Sequence, residues 1–273
     1  MEEVVQRQQE KRGFTGYHLK MIGIVFMVFD HLHQMFARQG VPLWFSWIGR
    51  LTAPIFIFLC AEGFTYTRNR KKYLLRLYIS FVVMNMLSYI ISVVFPSEIG
   101  LINNIFATLF FSALLMWCVD SVIIGLKEKK IKSIILGLVP LLLLIIYNVV
   151  FILFLVDTFI RRLPPWVLVV HQAFIPNILL AEGSLIFVFL GLLFYLFRKR
   201  RILQVFTLVL LSLWLLYRGL TAGVGDTQAL MGLSAILLWF YNGKKGKDQK
   251  YFFYLFYPAH IYLFYVIAWL MNR

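Results

Sequence analysis

Long apolar runs recur from one end of this chain to the other, and they constrain its fold more than any other feature. A helix that crosses a membrane needs about 20 mostly apolar residues. Nine runs are candidates: 19–37, 44–67, 72–95, 101–125, 132–157, 180–197, 202–217, 226–242 and 251–271. Of the 273 residues, 61% are hydrophobic and 14% are charged, whereas soluble domains have about 45–50% and about 25%. The sequence therefore predicts an integral membrane protein.

The predicted architecture follows from the need to satisfy backbone hydrogen bonds in lipid. Backbone groups in lipid must be satisfied within the protein, and continuous apolar runs favour helices. We predict an all-α, polytopic integral membrane helical bundle with nine transmembrane helices. Prolines at 164, 165 and 176 interrupt the segment 163–179, which we interpret as interfacial or re-entrant. Residues 1–18 are polar and the next run lacks a cleavage site, so we predict an N-terminal segment at 1–18 and one membrane domain at 19–273.

The basic residues fall in short clusters between the apolar runs. The net charge of +15 would suggest nucleic acid in a soluble protein, but here it is a topology signal and no nucleic-acid partner is expected. With nine spans, 21 of the 27 Lys and Arg lie on one side. The other side holds Arg38, Arg161, Arg162, Arg218 and Arg273. Because cytoplasmic loops carry the excess of basic residues, we predict a cytoplasmic N-terminus and an external C-terminus.

Ionisable side chains inside the apolar runs are costly in lipid and point to function. Most of them lie in the first two runs. Counted along helices, Asp30, His31 and Arg50 share a depth roughly 9 Å below the outer surface. Lys20 and Glu62 share a depth near the cytoplasmic boundary. The two helices therefore carry an outer layer with an imidazole, a carboxylate and a guanidinium, and an inner layer with an amine and a carboxylate.

Lys20 and His31 also share a helix face. The steps between them amount to about three whole turns, so both lie on one stripe with Ile24 and Met27. Such a stripe can line a channel that admits an anionic cofactor and delivers its reactive end to the imidazole. Alternatively, Lys20 extends its amine to the lipid headgroups and His31 bridges two helices by a hydrogen bond. The sequence leaves both interpretations open.

Other reactive side chains give weaker signals. His260 follows Pro258 near the middle of the last run and is a further candidate. Cys60 and Cys118 lie within apolar runs, where buried thiols usually serve packing. The spacing of Cys, His and carboxylates matches no metal site, and no metal is predicted. The sequence also contains no Gly-rich phosphate loop, HExxH helix or GxSxG turn.

Several stretches resemble the TraX family, membrane proteins named for the acetylation of conjugative pilin subunits. They are LKMI at 19–22, FMVFDH at 26–31, IGRLTAPIF at 48–56, AEGF at 61–64, YLLRL at 73–77, YNGK at 241–244 and KYFFYLFYPAH at 250–260. This family is similar to the wider transmembrane acyltransferases, in which a basic residue, ten arbitrary residues and a His on the first helix mark the active site. Lys20 and His31 match that spacing.

The resemblance implies a transmembrane acyltransferase domain over 19–273. Such an enzyme takes an acetyl group from cytoplasmic acetyl-CoA, its donor substrate, and delivers it to an acceptor at the outer face. His31 would be the general base toward an amine or hydroxyl, while Arg50 either pairs with Asp30 or stabilises the tetrahedral oxyanion. The implied cofactor-binding residues are Lys20, Glu62, Arg68, Arg76 and His260.

The resemblance also implies the surroundings of the reaction. The acceptor would be a peptide or pilin N-terminus, a glycan or a lipid, and the location the bacterial cytoplasmic (inner) membrane. A covalent acetyl-His or acetyl-Cys60 intermediate is an open variant. One rival interpretation is a non-catalytic transporter or lipid-handling protein, and another is a structural partner in a secretion or conjugation complex. The transporter or lipid-handling interpretation explains the buried charges, but it does not explain the Lys20 to His31 spacing as economically.

Overall fold

The computed structural model describes residues 13–101, 104–156, 171–223 and 227–272, and this part of the chain is mainly helical. The first five helices are α1 (Gly16–Phe36), α2 (Trp44–Gly49), α3 (Thr52–Tyr66), α4 (Arg70–Val94) and α5 (Ile105–Lys127). The next five are α6 (Ile131–Val156), α7 (Ser184–Leu196), α8 (Arg201–Thr221), α9 (Ser234–Trp239) and α10 (Lys250–Met271). Short 3-10 helices cover Ala37–Gln39 and Thr227–Leu233. Within the described ranges the β structure is limited to an isolated bridge between Phe14 and Tyr241.

Six helical segments are long and apolar enough to cross a membrane: Trp44–Tyr66, Arg70–Val94, Ile105–Lys127, Ile131–Leu153, Arg201–Thr221 and Tyr251–Met271. Large apolar side chains remain exposed along them, including Leu142, Leu143 and Leu153 on α6. Lipid stabilises a surface of this kind, whereas water does not. The predicted polytopic, all-helical membrane fold is confirmed for the part of the chain that the structure describes.

The number of spans stays a prediction. Helix α1 has 21 residues, enough to cross, but its Lys20, Asp30 and three His residues lower its hydropathy. The helices at Ser184–Leu196 and Thr227–Trp239 are apolar but shorter. Each of the nine predicted runs nevertheless contains helix.

The predicted span 44–67 corresponds to the segment Trp44–Tyr66, but a turn interrupts its helix. Helix α2 ends at Gly49 and α3 begins at Thr52, with a turn between them. Pro54 explains the break, since proline has no N–H and its ring clashes with the carbonyl group four residues earlier. That carbonyl belongs to Arg50, which therefore lies in the turn and not on a regular helix face.

The chain forms two compact units. Unit 1 consists of the described residues within Met1–Leu59 and Lys199–Ala268, and unit 2 of those within Cys60–Arg198 and Trp269–Arg273. Unit 1 contains α1, α2, the start of α3, α8, α9 and most of α10. Unit 2 contains the rest of α3, helices α4 to α7 and the last residues of α10.

In unit 1, the start of α1 is tied to the basic loop that follows α9. The backbone N–H groups of Gly16 and Tyr17 donate to the carbonyls of Lys244 and Lys245 at 2.8 and 2.9 Å. The first N–H groups of a helix have no partner within the helix, so the loop satisfies them. These bonds hold the lysines of the loop at the same end of α1 as Lys20.

In unit 2, small residues let α5 and α6 approach closely. A side chain at Gly137 would overlap the Cys118 carbonyl, and one at Gly125 would overlap Ile134. Glycine and other small residues play this role in membrane helices, where close van der Waals packing replaces the hydrophobic effect. The short turn at 128–130 keeps the two helices adjacent.

Several predicted features lie outside the described residues: Arg7, Lys11, Arg12, Arg161, Arg162, Pro164, Pro165 and Arg273. Most of the predicted interfacial segment 163–179 is among them. Its described end begins with a helical turn in which the Ile175 N–H donates to the His171 carbonyl at 2.8 Å.

Cysteine labelling tests the predicted orientation. Both native cysteines are buried, so an impermeant thiol reagent meets little background. Lys129→Cys and Lys247→Cys should stay unlabelled in intact cells because they lie on the predicted cytoplasmic side, whereas Gln39→Cys should be labelled. Opened membranes, in which all three sites react, provide the control. Labelling of residue 129 or 247 in intact cells would reverse the orientation and remove His31 from the outer half.

Candidate functional site

Two histidines from distant parts of the sequence meet inside unit 1. His31 on α1 and His260 on α10 are 229 positions apart, and Nδ1 of the first lies 2.7 Å from Nε2 of the second. Their rings stack with centroids 4.9 Å apart and planes inclined by 27°. Both side chains are buried, at 3% and 5% exposure. A nitrogen to nitrogen distance this short is a hydrogen bond.

Local structure explains why each histidine points inward. On α1, Ile24 and Met27 are buried together with His31, and Lys20 is partly buried, as a common stripe requires. On α10, Pro258 lies inside the helix and cannot donate to the carbonyl one turn back. His260 follows it within the same helical turn.

The neighbours of the pair determine which nitrogen atoms carry protons. Nδ1 of His260 lies 2.7 Å from the Phe256 carbonyl oxygen, which can only accept, so this nitrogen donates. In the neutral ring, Nε2 of His260 is then an acceptor, and Nδ1 of His31 donates to it. The other nitrogen of His31, Nε2, carries a lone pair. The arrangement therefore presents His31 Nε2 as a base.

Aromatic rings surround the histidine pair. The Phe256 ring stacks on His260 with centroids 4.8 Å apart, and Phe264 meets it edge-on at 5.8 Å. Tyr257 lies with its ring centroid 6.3 Å from that of His31. A hydrogen bond is electrostatically stronger in such a low-dielectric setting than in water. The rings therefore favour a fixed geometry of the pair.

Arg50 and Asp30 lie in unit 1, but the predicted pairing between them is not a direct one. Arg50 acts on the carboxylate by a Coulombic interaction, without an ion pair between them among the described residues. Its guanidinium donates instead to Ser46 Oγ at 3.2 Å and to Gln228 Oε1 at 3.4 Å. Its Nε is buried and has no hydrogen-bond partner in the described ranges. The turn after α2 accounts for this, because it places Arg50 one helical turn beyond Ser46.

The absence of a side chain at Gly49 leaves room for the Asp30 side chain. A Cβ at position 49 would overlap the Asp30 carboxyl group, so the absence of a side chain lets α1 and α2 meet here. The rings of Phe29 and Phe45 pack beside this contact with centroids 4.7 Å apart. Asp30 is therefore placed by packing against α2.

Lys20 lies at the other end of α1. Its Nζ is 5.0 Å from the centroid of the Phe253 ring, and it interacts electrostatically with Lys245 and Asp248, which pair with each other at 2.7 Å. An open pocket of about 530 Å³ is lined by Asp248, Gln249, Tyr251 and Phe252. A cation, aromatic rings and open space at one end of the helix suit a soluble ligand that carries phosphate groups.

The other predicted residues lie in unit 2. Glu62 is buried on α3, and Arg68 is exposed in the loop before α4. The guanidinium of Arg76 lies 5.8 Å from the centroid of the Tyr73 ring. Its Nε is buried and has no hydrogen-bond partner among the residues that the structure describes. Of these three, Arg76 presents the donor that an anion would satisfy.

Sequence reasoning missed a charged cluster in unit 2. Arg70 pairs with Asp120 at 2.6 Å, and the Tyr195 hydroxyl donates to the same carboxylate at 2.5 Å. The Arg198 guanidinium stacks 4.1 Å from the centroid of the Tyr195 ring. The available signal was Asp120, the one acidic residue within the run 101–125. Arg70 and Arg198 gave no such signal in the sequence, because a cluster of basic residues does not indicate which of them forms an ion pair.

A second missed arginine lies in unit 1. The Arg201 guanidinium lies 4.6 and 4.7 Å from the ring centroids of Phe58 and Tyr241, and it donates to Gln204 Oε1 at 2.8 Å. The flat guanidinium stacks well on aromatic faces. This contact joins α8 to α3 and to the end of α9, and we interpret it as structural.

Fold and site together define a polytopic helical membrane protein with a hydrogen-bonded histidine pair buried among its helices. The chain belongs to the TraX protein family, whose model matches residues 15–268. This range includes both histidines and every site residue predicted from the sequence. The chain is also similar to the probable fimbrial assembly protein FimC, serogroup H1, of Dichelobacter nodosus. The two are 27% identical over 263 residues, which cover 92% of this chain and 94% of that protein. No solved structure matches the chain.

The contact between Gly49 and Asp30 predicts a stability effect. Gly49→Ala should lower the stability of the purified protein by about 1–3 kcal/mol, because the added methyl group overpacks the site. Thermal unfolding in detergent measures the loss. Gly63→Ala is the matched control, since a Cβ there stays 3.3 Å from its nearest neighbour, the Tyr73 hydroxyl. Equal melting temperatures for the two variants would contradict the predicted overlap.

Proposed function

We propose that this protein transfers an acetyl group from cytoplasmic acetyl-CoA to an amine or hydroxyl at the outer face of the bacterial cytoplasmic membrane. The observation that carries the proposal is the buried pair in which His31 bonds His260 through Nδ1 and keeps Nε2 as a base. Membership of the TraX family and similarity to a fimbrial assembly protein support an acceptor outside the cytoplasm.

The pair favours His31 over His260 as the base. Both nitrogens of His260 are engaged, one with the Phe256 carbonyl and one with His31. A general base needs an available lone pair within reach of the proton that it accepts. Only His31 Nε2 meets that requirement within the pair. His260 is then a positioning residue, which fixes the tautomer and orientation of the base as a carboxylate does in a catalytic triad.

In the proposed reaction, Nε2 of His31 accepts the proton of the acceptor N–H or O–H while the acceptor lone pair attacks the thioester carbonyl carbon. The carbonyl π electrons move onto oxygen and form a tetrahedral oxyanion. Its collapse restores the carbonyl, breaks the C–S bond and releases the CoA thiolate, which takes the proton back from His31. Throughout the cycle, His260 Nε2 accepts the Nδ1–H of His31.

The donor would enter from the Lys20 end of α1. Its phosphates are anionic, and Lys20 lies beside an aromatic ring and close to a loop rich in lysine. Helix α1 rises about 1.5 Å per residue, so His31 lies about 16 Å further along the same stripe. The extended pantetheine arm suits that path, because it can carry the thioester inward while the nucleotide stays at the surface.

Arg50 is the proposed stabiliser of the oxyanion. Its buried Nε has no hydrogen-bond partner in the described part of the chain, so it can donate to a charge that develops only in the transition state. Donors that are already in place at such a position contribute strongly to catalysis. Asp30 keeps the charge of the guanidinium balanced between turnovers, because the two interact electrostatically.

The rival proposal is a transporter or lipid-handling protein. It accounts for the buried charges, but it does not explain why His31 keeps a nitrogen lone pair that can act as a base. Purified protein in lipid bilayers should bind acetyl-CoA and release free thiol faster when a peptide amine or a sugar hydroxyl is supplied. The absence of both binding and thiol release with every acceptor would contradict the acetyltransferase proposal and favour the rival.

Substitutions of the two paired histidines test which of them is the base. His31→Ala should lower acetyl transfer by roughly 10²–10⁴-fold, the range for loss of a general base. His260→Ala should lower it by roughly 10–100-fold, the value of one hydrogen bond to a charged group. His260→Gln should recover part of the loss, because its side-chain oxygen can accept from His31.

His33→Ala is the control for these variants. His33 lies on the same helix, but its Nδ1 is 3.1 Å from the Val41 carbonyl at the helix end, so transfer should stay near normal. The acidic limb of the pH–rate profile should persist in His260→Ala and vanish in His31→Ala. The opposite pattern would assign the base to His260.

Lys20 is predicted to bind the CoA phosphates. Lys20→Ala should raise the KM for acetyl-CoA, by about tenfold for a charge-assisted bond, with a smaller effect on kcat. Acetyl-pantetheine, which lacks the nucleotide, should be used equally by wild type and variant. Lys71→Ala, an exposed basic residue on α4, is the control. An unchanged KM in Lys20→Ala would reduce Lys20 to a membrane-surface residue.

A further inference from the structure

A second group of polar side chains, two of them buried and three partly buried, lies in unit 2. Asn85 is in the C-terminal half of α4, Asn104 precedes α5 as its N-cap, and Tyr147 is in the C-terminal half of α6. His171 and Asn177 belong to the segment before α7. These five residues are called the amide–imidazole cluster below.

Hydrogen bonds connect four members of the cluster, and the side chain of the fifth, Asn177, lies close enough to Tyr147 to act on its hydroxyl. Asn104 Nδ2 donates to Asn85 Oδ1 at 2.6 Å, and Asn85 Nδ2 donates to the Gln172 carbonyl at 2.9 Å. The Tyr147 hydroxyl lies 3.2 Å from His171 Nε2. Three helices and the segment before α7 thus meet through polar groups at one place.

The cluster lies at the end of unit 2 that is opposite the basic loops. The ion pair between Arg70 and Asp120 joins the start of α4 to the last two turns of α5, and the turn at 128–130 joins α5 to α6. These basic ends lie on the predicted cytoplasmic side. The cluster therefore lies toward the predicted outer face.

Three atoms of the cluster are buried without a hydrogen-bond partner among the described residues: Asn104 Oδ1, His171 Nδ1 and Asn177 Nδ2. The side chains of Asn104 and Asn177 are only 8% and 5% exposed. Their amide orientations are fixed, because Asn104 Nδ2 donates to two oxygens and Asn177 Oδ1 accepts from the Leu179 N–H at 2.8 Å. Unsatisfied buried polar groups destabilise a fold, and three in one cluster indicate a place that a ligand completes.

The open atoms define the chemistry of that ligand. Asn104 Oδ1 needs a donor and Asn177 Nδ2 needs an acceptor, and a hydroxyl group supplies both. Burial lowers the pKa of His171, which keeps the imidazole neutral at pH 7. The cluster therefore offers no charge to balance an ionised ligand, whose burial would be costly.

We propose that the amide–imidazole cluster is a binding site for a neutral, hydroxyl-bearing ligand of the sugar class. The site is separate from the histidine pair in composition, because all five of its residues belong to unit 2. It does not depend on acetyl transfer, so binding can be tested whether or not the protein is an acetyltransferase.

Saturation-transfer NMR on the full chain tests the site. The protein is purified in lauryldimethylamine oxide, a detergent that lacks a sugar headgroup. The neutral probes are methyl β-glucoside, methyl β-galactoside and N-acetylglucosamine, and methyl β-glucuronide is the ionised counterpart. At least one neutral probe should receive saturation and be displaced by an alkyl maltoside, while the glucuronide should receive none. No transfer to any neutral probe, or equal transfer to the glucuronide, overturns the proposal.

Two variants connect binding to the cluster. Asn177→Ala removes the open donor, and His171→Phe removes the open ring nitrogen while keeping a ring that can stack on Tyr147 and Phe151. Each should weaken probe binding by about tenfold, the value of one hydrogen bond. Ser121→Ala is the control, because this buried hydroxyl bonds the Trp117 carbonyl of its own helix at 2.8 Å. If one variant fails to fold, the other decides, and wild-type binding in a folded variant overturns the proposal.

Discussion

The hydrogen bond between His31 and His260 is the interaction on which unit 1 depends. In lipid no water is available, so each buried imidazole must find its partners within the protein. Each histidine of the pair provides the other with a hydrogen-bond partner on the facing helix. The Phe256 carbonyl accepts the remaining N–H of His260. The same arrangement that satisfies the histidines also leaves His31 Nε2 with its lone pair. Structural and chemical roles therefore reside in the same bond, and α1 and α10 are held together at the proposed reactive centre.

The apolar runs predicted the helical membrane fold because lipid imposes one requirement on every span. Because hydropathy is uniform along each run, it did not show where a helix is interrupted within the run. Residues on both sides of the break before α3 are apolar, so hydropathy does not change where the helix ends. Pro54 was visible in the sequence, but proline does not always end a helix, as Pro140 within α6 and Pro258 within α10 demonstrate. Its effect depends on whether neighbouring elements can satisfy the carbonyl that it leaves free.

The site was partly readable because depth and helix face follow from counting. Counting placed His31 with Asp30 and Arg50 at one level, and placed Lys20 on the same stripe. It could not show which groups at one depth face each other, because that depends on the rotation and packing of separate helices. His260 thus emerged as an isolated candidate, although it is hydrogen-bonded to His31. Arg50 was expected beside Asp30, whereas the turn after α2 directs its hydrogen bonds to Ser46 and Gln228.

Hydrogen-bond completeness separates two classes of charged groups in this protein, and the sequence contains no trace of that distinction. The Asp120 carboxylate receives both Arg70 and Tyr195, which leaves little capacity for a ligand. Arg50 and Arg76 each keep a buried Nε without a partner in the described ranges. A complete hydrogen-bond network makes its side chains rigid. A buried donor without a partner costs free energy, and an incoming acceptor removes that cost. Arg70 is therefore best understood as part of the scaffold of unit 2, whereas Arg76, within the described residues, keeps a buried N–H that can still donate to an incoming group.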